Sequence, residues 1–133
     1  MDETGDNAVL LVARCLIAGL FLWSGIGQLS GLDETAMFVS HASGYMGILF
    51  WTALVIELGG ALMLIVGYKA RFVCLTLAGF AVVTALLFHA NFPDRGQMFH
   101  FLKNFAIAGG LLGLYVAGPG RLSFDGVGDG RDQ

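Results

Sequence analysis

Four long apolar runs, at residues 8–29, 46–67, 72–92 and 99–118, take up most of the chain, with short polar stretches between them. Each is close to the ~20 residues an α-helix needs to cross a ~30 Å hydrocarbon core at ~1.5 Å rise per residue. The polar stretches read as connections. Residues 30–45 form the longest. There Asp33 and Glu34, followed by Ala36, Met37, Phe38 and Val39, allow either a short helix at the membrane interface or an ordinary polar loop. Tyr68-Lys69-Ala70-Arg71 is a tight basic turn that forces the second and third spans into an antiparallel pair. Pro93 stops the third span, because proline withholds a backbone donor and disfavours helix in the residue before it. Pro93-Asp94-Arg95-Gly96 is turn chemistry, and Gly118-Pro119-Gly120 is a helix stop. Residues 1–7 make an acidic tail. Residues 121–133 make a glycine-rich one, expected to lose order beyond Asp125. The pattern predicts an all-α integral membrane protein, a four-helix antiparallel bundle.

Composition points the same way. Of 133 residues, 56% are hydrophobic and 13% charged, against roughly 25% charged in soluble domains. The spans leave no room for a soluble catalytic domain. The N-terminal stretch lacks Lys and Arg, so the first span is expected to be retained and not cleaved as a signal peptide. A net charge of −3 argues against a nucleic-acid partner. Lys69, Arg71, Arg121 and Arg131 fall on the side of the termini, and Arg95 and Lys103 on the other. That balance predicts cytoplasmic termini.

The candidate chemistry lies among the few polar residues inside the spans. Glu57 sits near the middle of the second span, where a carboxylate costs a few kcal/mol or more and marks a candidate site. Helical side chains lean toward the N-terminus of their own helix. Glu57 therefore leans away from the terminal side, and His89 leans inward to meet it. The expected cluster is Glu57, His89, Lys103, Asn104 and Gln28. Such a set could relay protons or bind a quinone head group, or it could be a structural network that fixes helix register. Arg14 leans the other way and is expected to snorkel to the headgroups on the terminal side rather than pair with Glu57. Cys15 and Cys74 are expected to be buried apolar thiols. His41, His89 and His100 match no tight metal-ligand spacing, so no metal site is expected. Gly59-Gly60, and Gly109-Gly110 with Gly113, supply small residues for close helix packing, for an oligomer contact or for a ligand-facing surface.

Arg14, Phe21-Leu22, Ser24-Gly25 and Glu57-x-Gly59-Gly60 together resemble the DoxX family of small bacterial inner-membrane proteins. So do Gly67 with Arg71, Phe88-His89, Lys103-Asn104, Gly109-Gly110 and, above all, Gly118-Pro119-Gly120-x-x-Ser123-x-Asp125. Where many relatives carry lysine, this chain has the uncharged Gln28. The resemblance covers residues 10–125. It implies a four-helix inner-membrane bundle associated with quinol oxidation, as a subunit acting with a larger membrane redox complex. Glu57, His89 and Lys103 would then carry the chemistry, with Gln28, Asn104 and Gly60 lining the site for a quinone or quinol. The chain holds no haem, flavin or iron–sulfur motif, so electrons would pass through partner proteins. Other readings of the same residues are a non-catalytic accessory or assembly subunit, a homo-oligomer, and a small-solute permease.

Overall fold

A computed structural model describes residues 2–31 and 44–129, and all regular structure among the described residues is helical. Four long helices, α1 (Glu3–Leu29), α2 (Tyr45–Val66), α3 (Ala70–Phe88) and α4 (Arg95–Ala117), are each long and apolar enough to cross a membrane. A short α5 (Phe124–Asp129) follows. The loop around Asp33 and Glu34, His41 and Arg131 lie outside the described residues.

Helix ends depart from the hydropathy pattern where capping chemistry outweighs it. α1 begins five residues before the apolar run, because the Asp2 side chain accepts from Gly5 N at 2.8 Å and Glu3 and Asp6 favour the positive helix start. α3 ends at Phe88, four residues short of the expected Phe92, with His89 as its C-cap. α4 begins at Arg95 and not near Phe99. Asp94 caps it by accepting from Gly96 N at 2.8 Å and Gln97 N at 3.2 Å. The stretch read as a turn is therefore the start of a helix, and His89 stands at the end of α3 and not within it.

The helices pack in a ring. α3–α4 and α1–α2 are the closest pairs, and α2–α3 and α1–α4 contacts close the circuit. The inner stripe of α3 is Ala70, Val73, Cys74, Leu77, Ala78, Ala81 and Ala85, a run of three- and four-residue steps. Its alanines let α4 bring Ala108, Leu111 and Leu114 close, and Ala18, Phe21, Ala61 and Leu64 fill the rest of the core. The outer surface is also apolar. Trp23 is 81% and Val116 76% exposed. In water such a surface would invite aggregation. In lipid it is the natural coat, and helix association must come from close packing and internal hydrogen bonds.

The glycine-rich tail is not a loose end in its first part. After the fourth span, Arg121 N donates to Asn7 Oδ1 at 2.6 Å, which ties the chain to α1. Asp125 N donates to Gly67 O at 3.0 Å. The Asp125 carboxylate accepts from Lys69 N at 2.9 Å and Ala70 N at 2.8 Å. The start of α3 has no cap from its own preceding residue, Lys69, so Asp125 caps it from the far end of the chain. Tyr68 and Phe124 meet edge-on, 5.4 Å apart, over the same turn. Asp125→Ala is expected to lower stability by about 1–2 kcal/mol, the usual cost of losing an N-cap. Thermal unfolding in detergent followed by circular dichroism checks this, and an unchanged midpoint would remove the capping role.

Candidate functional site

Glu57 faces inward from the middle of α2 and is only 3% exposed. Its Oε2 accepts from Gln28 Nε2 at 2.7 Å. The two residues sit at different levels of antiparallel helices and meet because each side chain leans toward its own helix's N-terminus. Gln28 is steadied by Ser24 Oγ, 3.4 Å away and one turn earlier on α1. One turn from Gln28 on the same face is Gly25, where a Cβ would overlap the Leu58 side chain. Gly25 thus brings α1 against α2 just where amide and carboxyl meet. The pair is an acid and an amide inside a lipid-embedded bundle, a setting where polar contacts are few and strong.

His89 and Lys103 form a second group, at the end of the bundle away from the termini. His89 Nδ1 lies 2.7 Å from Gln97 Oε1, within hydrogen-bond distance. The His89 and His100 rings stack with centroids 5.1 Å apart, and Lys103 Nζ donates to His100 Nδ1 at 3.2 Å. Gln97 enters the group because α4 starts four residues early. The expectation of α4 from Phe99 had no place for Gln97. The Asp94-x-Gly96-Gln97 capping pattern was the available signal. Asn104 forms a third contact, donating to Thr84 Oγ1 at 3.2 Å across the α3–α4 interface. Gly60 lies against α3, where an added Cβ would stand 2.8 Å from Leu77 Cδ2. The structure therefore joins Glu57 to Gln28, and His89 to Lys103 through His100. No described hydrogen bond links these two groups or draws Asn104 into either.

Arg14 requires a correction. It does not snorkel to the headgroups. It is 1% exposed and points into the terminal end of the bundle. Nη1 donates to Leu64 O at 3.3 Å and Ile65 O at 3.2 Å, and Nη2 donates to Leu122 O in the tail. The reason lies in the turn after α2. Gly67 N and Tyr68 N both donate to Met63 O, at 2.8 and 3.0 Å, which leaves the next carbonyls of the helix end to another donor. A guanidinium suits them, since the C-terminal end of a helix carries partial negative charge. Nε of Arg14 is buried without a hydrogen bond. The thiols separate as well. Cys74 is buried in the core, as expected, but Cys15 is exposed on the outer face of α1.

A family model described as DoxX matches residues 9–90. The chain belongs to the DoxX family. Two relatives from Escherichia coli strain K12 extend the likeness over nearly the whole DoxX fold. Inner membrane protein YqjF is 38% identical over 120 residues, which cover 90% of this chain and 92% of the relative. Inner membrane protein YphA is 28% identical over 123 residues, 88% of each chain. No solved structure matches the chain significantly. Arg14, Gln28, Glu57, Gly60 and His89 fall within the matched DoxX region. Lys103, Asn104 and the tail that clasps Arg14 lie beyond it. With four apolar spans and this membership, the chain is a multi-pass DoxX membrane protein.

Proposed function

We propose that this DoxX protein is a redox-linked inner-membrane subunit that binds a quinone or quinol head group beside Glu57 and Gln28. The observation that carries the reading is the buried Glu57 carboxyl held by the Gln28 amide at 2.7 Å in mid-bundle. Buried intramembrane carboxyls are costly and mark proton pathways. A carboxyl there can take a proton from a bound quinol hydroxyl, while Gln28 holds it in one orientation. Gly60 and Asn104 would flank the head group. His89, His100 and Lys103 would exchange protons with water at the end of the bundle away from the termini. The two electrons released with the two protons pass to a partner subunit. The inner-membrane placement draws on the names of the two relatives. Cytoplasmic termini follow from Lys69, Arg71 and Arg121 at that end. Opposite signals from reporter fusions at the C-terminus and in the 90–93 connection would test that orientation.

The deciding variant is Glu57→Gln. Glutamine keeps an acceptor oxygen for Gln28, so helix packing should survive while the ionisable group is lost. Organic extraction of the mildly solubilised wild-type protein is expected to yield about one quinone per chain, and the variant at least tenfold less. Wild-type protein free of quinone, or a variant that retains it equally, would refute the reading.

A second reading, a non-catalytic accessory subunit, is favoured by Gly109 and Gly113. Both lie on the exposed face of α4, with open space where a Cβ would stand. Small residues four apart on a lipid-facing side admit close approach by another helix. Stable co-purification of a larger complex with no bound small molecule would support it.

A further inference from the structure

We propose that the terminal end of the bundle holds a binding site for the phosphate of an anionic phospholipid headgroup. A cavity of about 780 Å³ opens there between α1, the start of α3, the end of α4 and the tail. Its walls carry three cations, Lys69, Arg71 and Arg121, and one carboxylate, Asp125. Both oxygens of that carboxylate are already taken, by the backbone N–H groups of Lys69 and Ala70. Among the described residues neither Lys69 nor Arg71 has a carboxylate partner. The Lys69 ammonium lies 5.7 Å over the Tyr68 ring. The Arg71 guanidinium lies across Gly118, with Nη2 3.3 Å from where a Cβ would stand. Glycine at 118, with φ +83°, leaves that space for the guanidinium to lie flat against the end of α4. Arg121 pairs with Glu3 at 3.3 Å, but the two side chains are 75% and 86% exposed. Such surface pairs contribute little and are readily exchanged.

An apolar wall makes a lipid the better fit than a free anion. Leu10 lines the cavity, and so does Phe72, which is 68% exposed on the outer face of α3. The cations therefore sit at headgroup level, beside a surface that acyl chains would cover. Basic pockets between spans are suited to anionic headgroups, and the volume falls within the range of small-molecule sites.

The test is native mass spectrometry of the full chain in detergent with equimolar phosphatidylglycerol and phosphatidylcholine. Wild-type protein is expected to retain one phosphatidylglycerol per chain in preference to phosphatidylcholine. Arg71→Gln should weaken that retention about fivefold and Lys69→Gln/Arg71→Gln about 25-fold, following the contribution of each basic side chain near a membrane surface. Among the described residues neither side chain makes a hydrogen bond, so helicity should be unchanged, and circular dichroism would verify it. Arg95→Gln, at the opposite end, should bind as wild type does. Equal retention of the two lipids, an unaffected double variant, or an equal loss in Arg95→Gln would overturn the proposal. Displacement of the lipid by millimolar inorganic phosphate would overturn a lipid as the occupant, and its failure to displace would support one.

Discussion

Replacing Arg14 with leucine is expected to destabilise the bundle by about 3–5 kcal/mol, because three backbone carbonyls lose their donor at about 1–3 kcal/mol each. The guanidinium is 1% exposed and its acceptors are backbone carbonyls, of Leu64, Ile65 and Leu122. A side-chain acceptor could be replaced along with its donor. A carbonyl cannot, and each one left buried and unpaired costs about 1–3 kcal/mol. Leucine would recover part of this through burial and through removal of the unsatisfied Nε. That gain is smaller, because the end of α2 and the tail would both lose their tie. Arg14→Lys should fall between the two, since an ammonium keeps the charge but not the fork that spans two elements. The loss of helical signal as SDS is titrated into mixed micelles measures all three. Equal midpoints for wild type and Arg14→Leu would show that these hydrogen bonds contribute nothing net.

The other large effect is expected at Gly67→Ala. Gly67 takes φ +76° to end α2, a left-handed conformation that costs a residue with a Cβ about 1–2 kcal/mol. The added methyl would also overlap Arg14 Nη1 and the Ser123 Cβ. Overpacking of that kind adds about 1–3 kcal/mol, so a total near 3 kcal/mol is expected by the same titration. A second readout reports on the tail. If Ser123 is pushed away, trypsin should cut faster after Arg121 in the variant than in wild type. Gly79→Ala is the control. Nothing stands within 4 Å of its would-be Cβ, so it should be neutral or slightly stabilising. Similar losses at both positions would point to a general intolerance of substitution and not to the turn.

The four spans were legible in the sequence because length and apolarity are enough to mark a membrane helix. Some of their ends were legible too: α1 stops at Leu29, α2 at the Gly67 cap and α4 at the Gly118 cap, as expected. The starts of α1 and α4 were not, because hydropathy sees side chains whereas Asp2 and Asp94 set those boundaries through backbone hydrogen bonds. The lean of Glu57 away from the terminal side was readable from helix geometry, and Gln28 was among its expected companions. Depth along each helix is readable from the sequence, but azimuth around it also decides which groups meet: among the described contacts Glu57 meets Gln28, and His89 and Lys103 meet His100. The early start of α4 adds Gln97, which an α4 starting at Phe99 leaves out. Arg14 departs from expectation for a different reason. Snorkelling is the default for a lone arginine near a span end, and it fails here because two helix-end carbonyls and a tail carbonyl converge on the side chain. The Gly118-Pro119-Gly120-x-x-Ser123-x-Asp125 pattern carried that information, but it can be read as a clasp only once the α2–α3 turn is seen beneath it.

The clasp also imposes an order in time. Arg14 enters the membrane with the first span, yet one of its acceptors, Leu122, lies 108 residues later in the chain. During synthesis Nη1 can meet the end of α2 once the second span is in place, but Nη2 must wait until the last span has crossed and the segment behind it has emerged. Closure of the clasp is thus reserved for chains that have emerged past residue 122, and a nascent chain halted earlier would leave Nη2 of Arg14 without its tail acceptor.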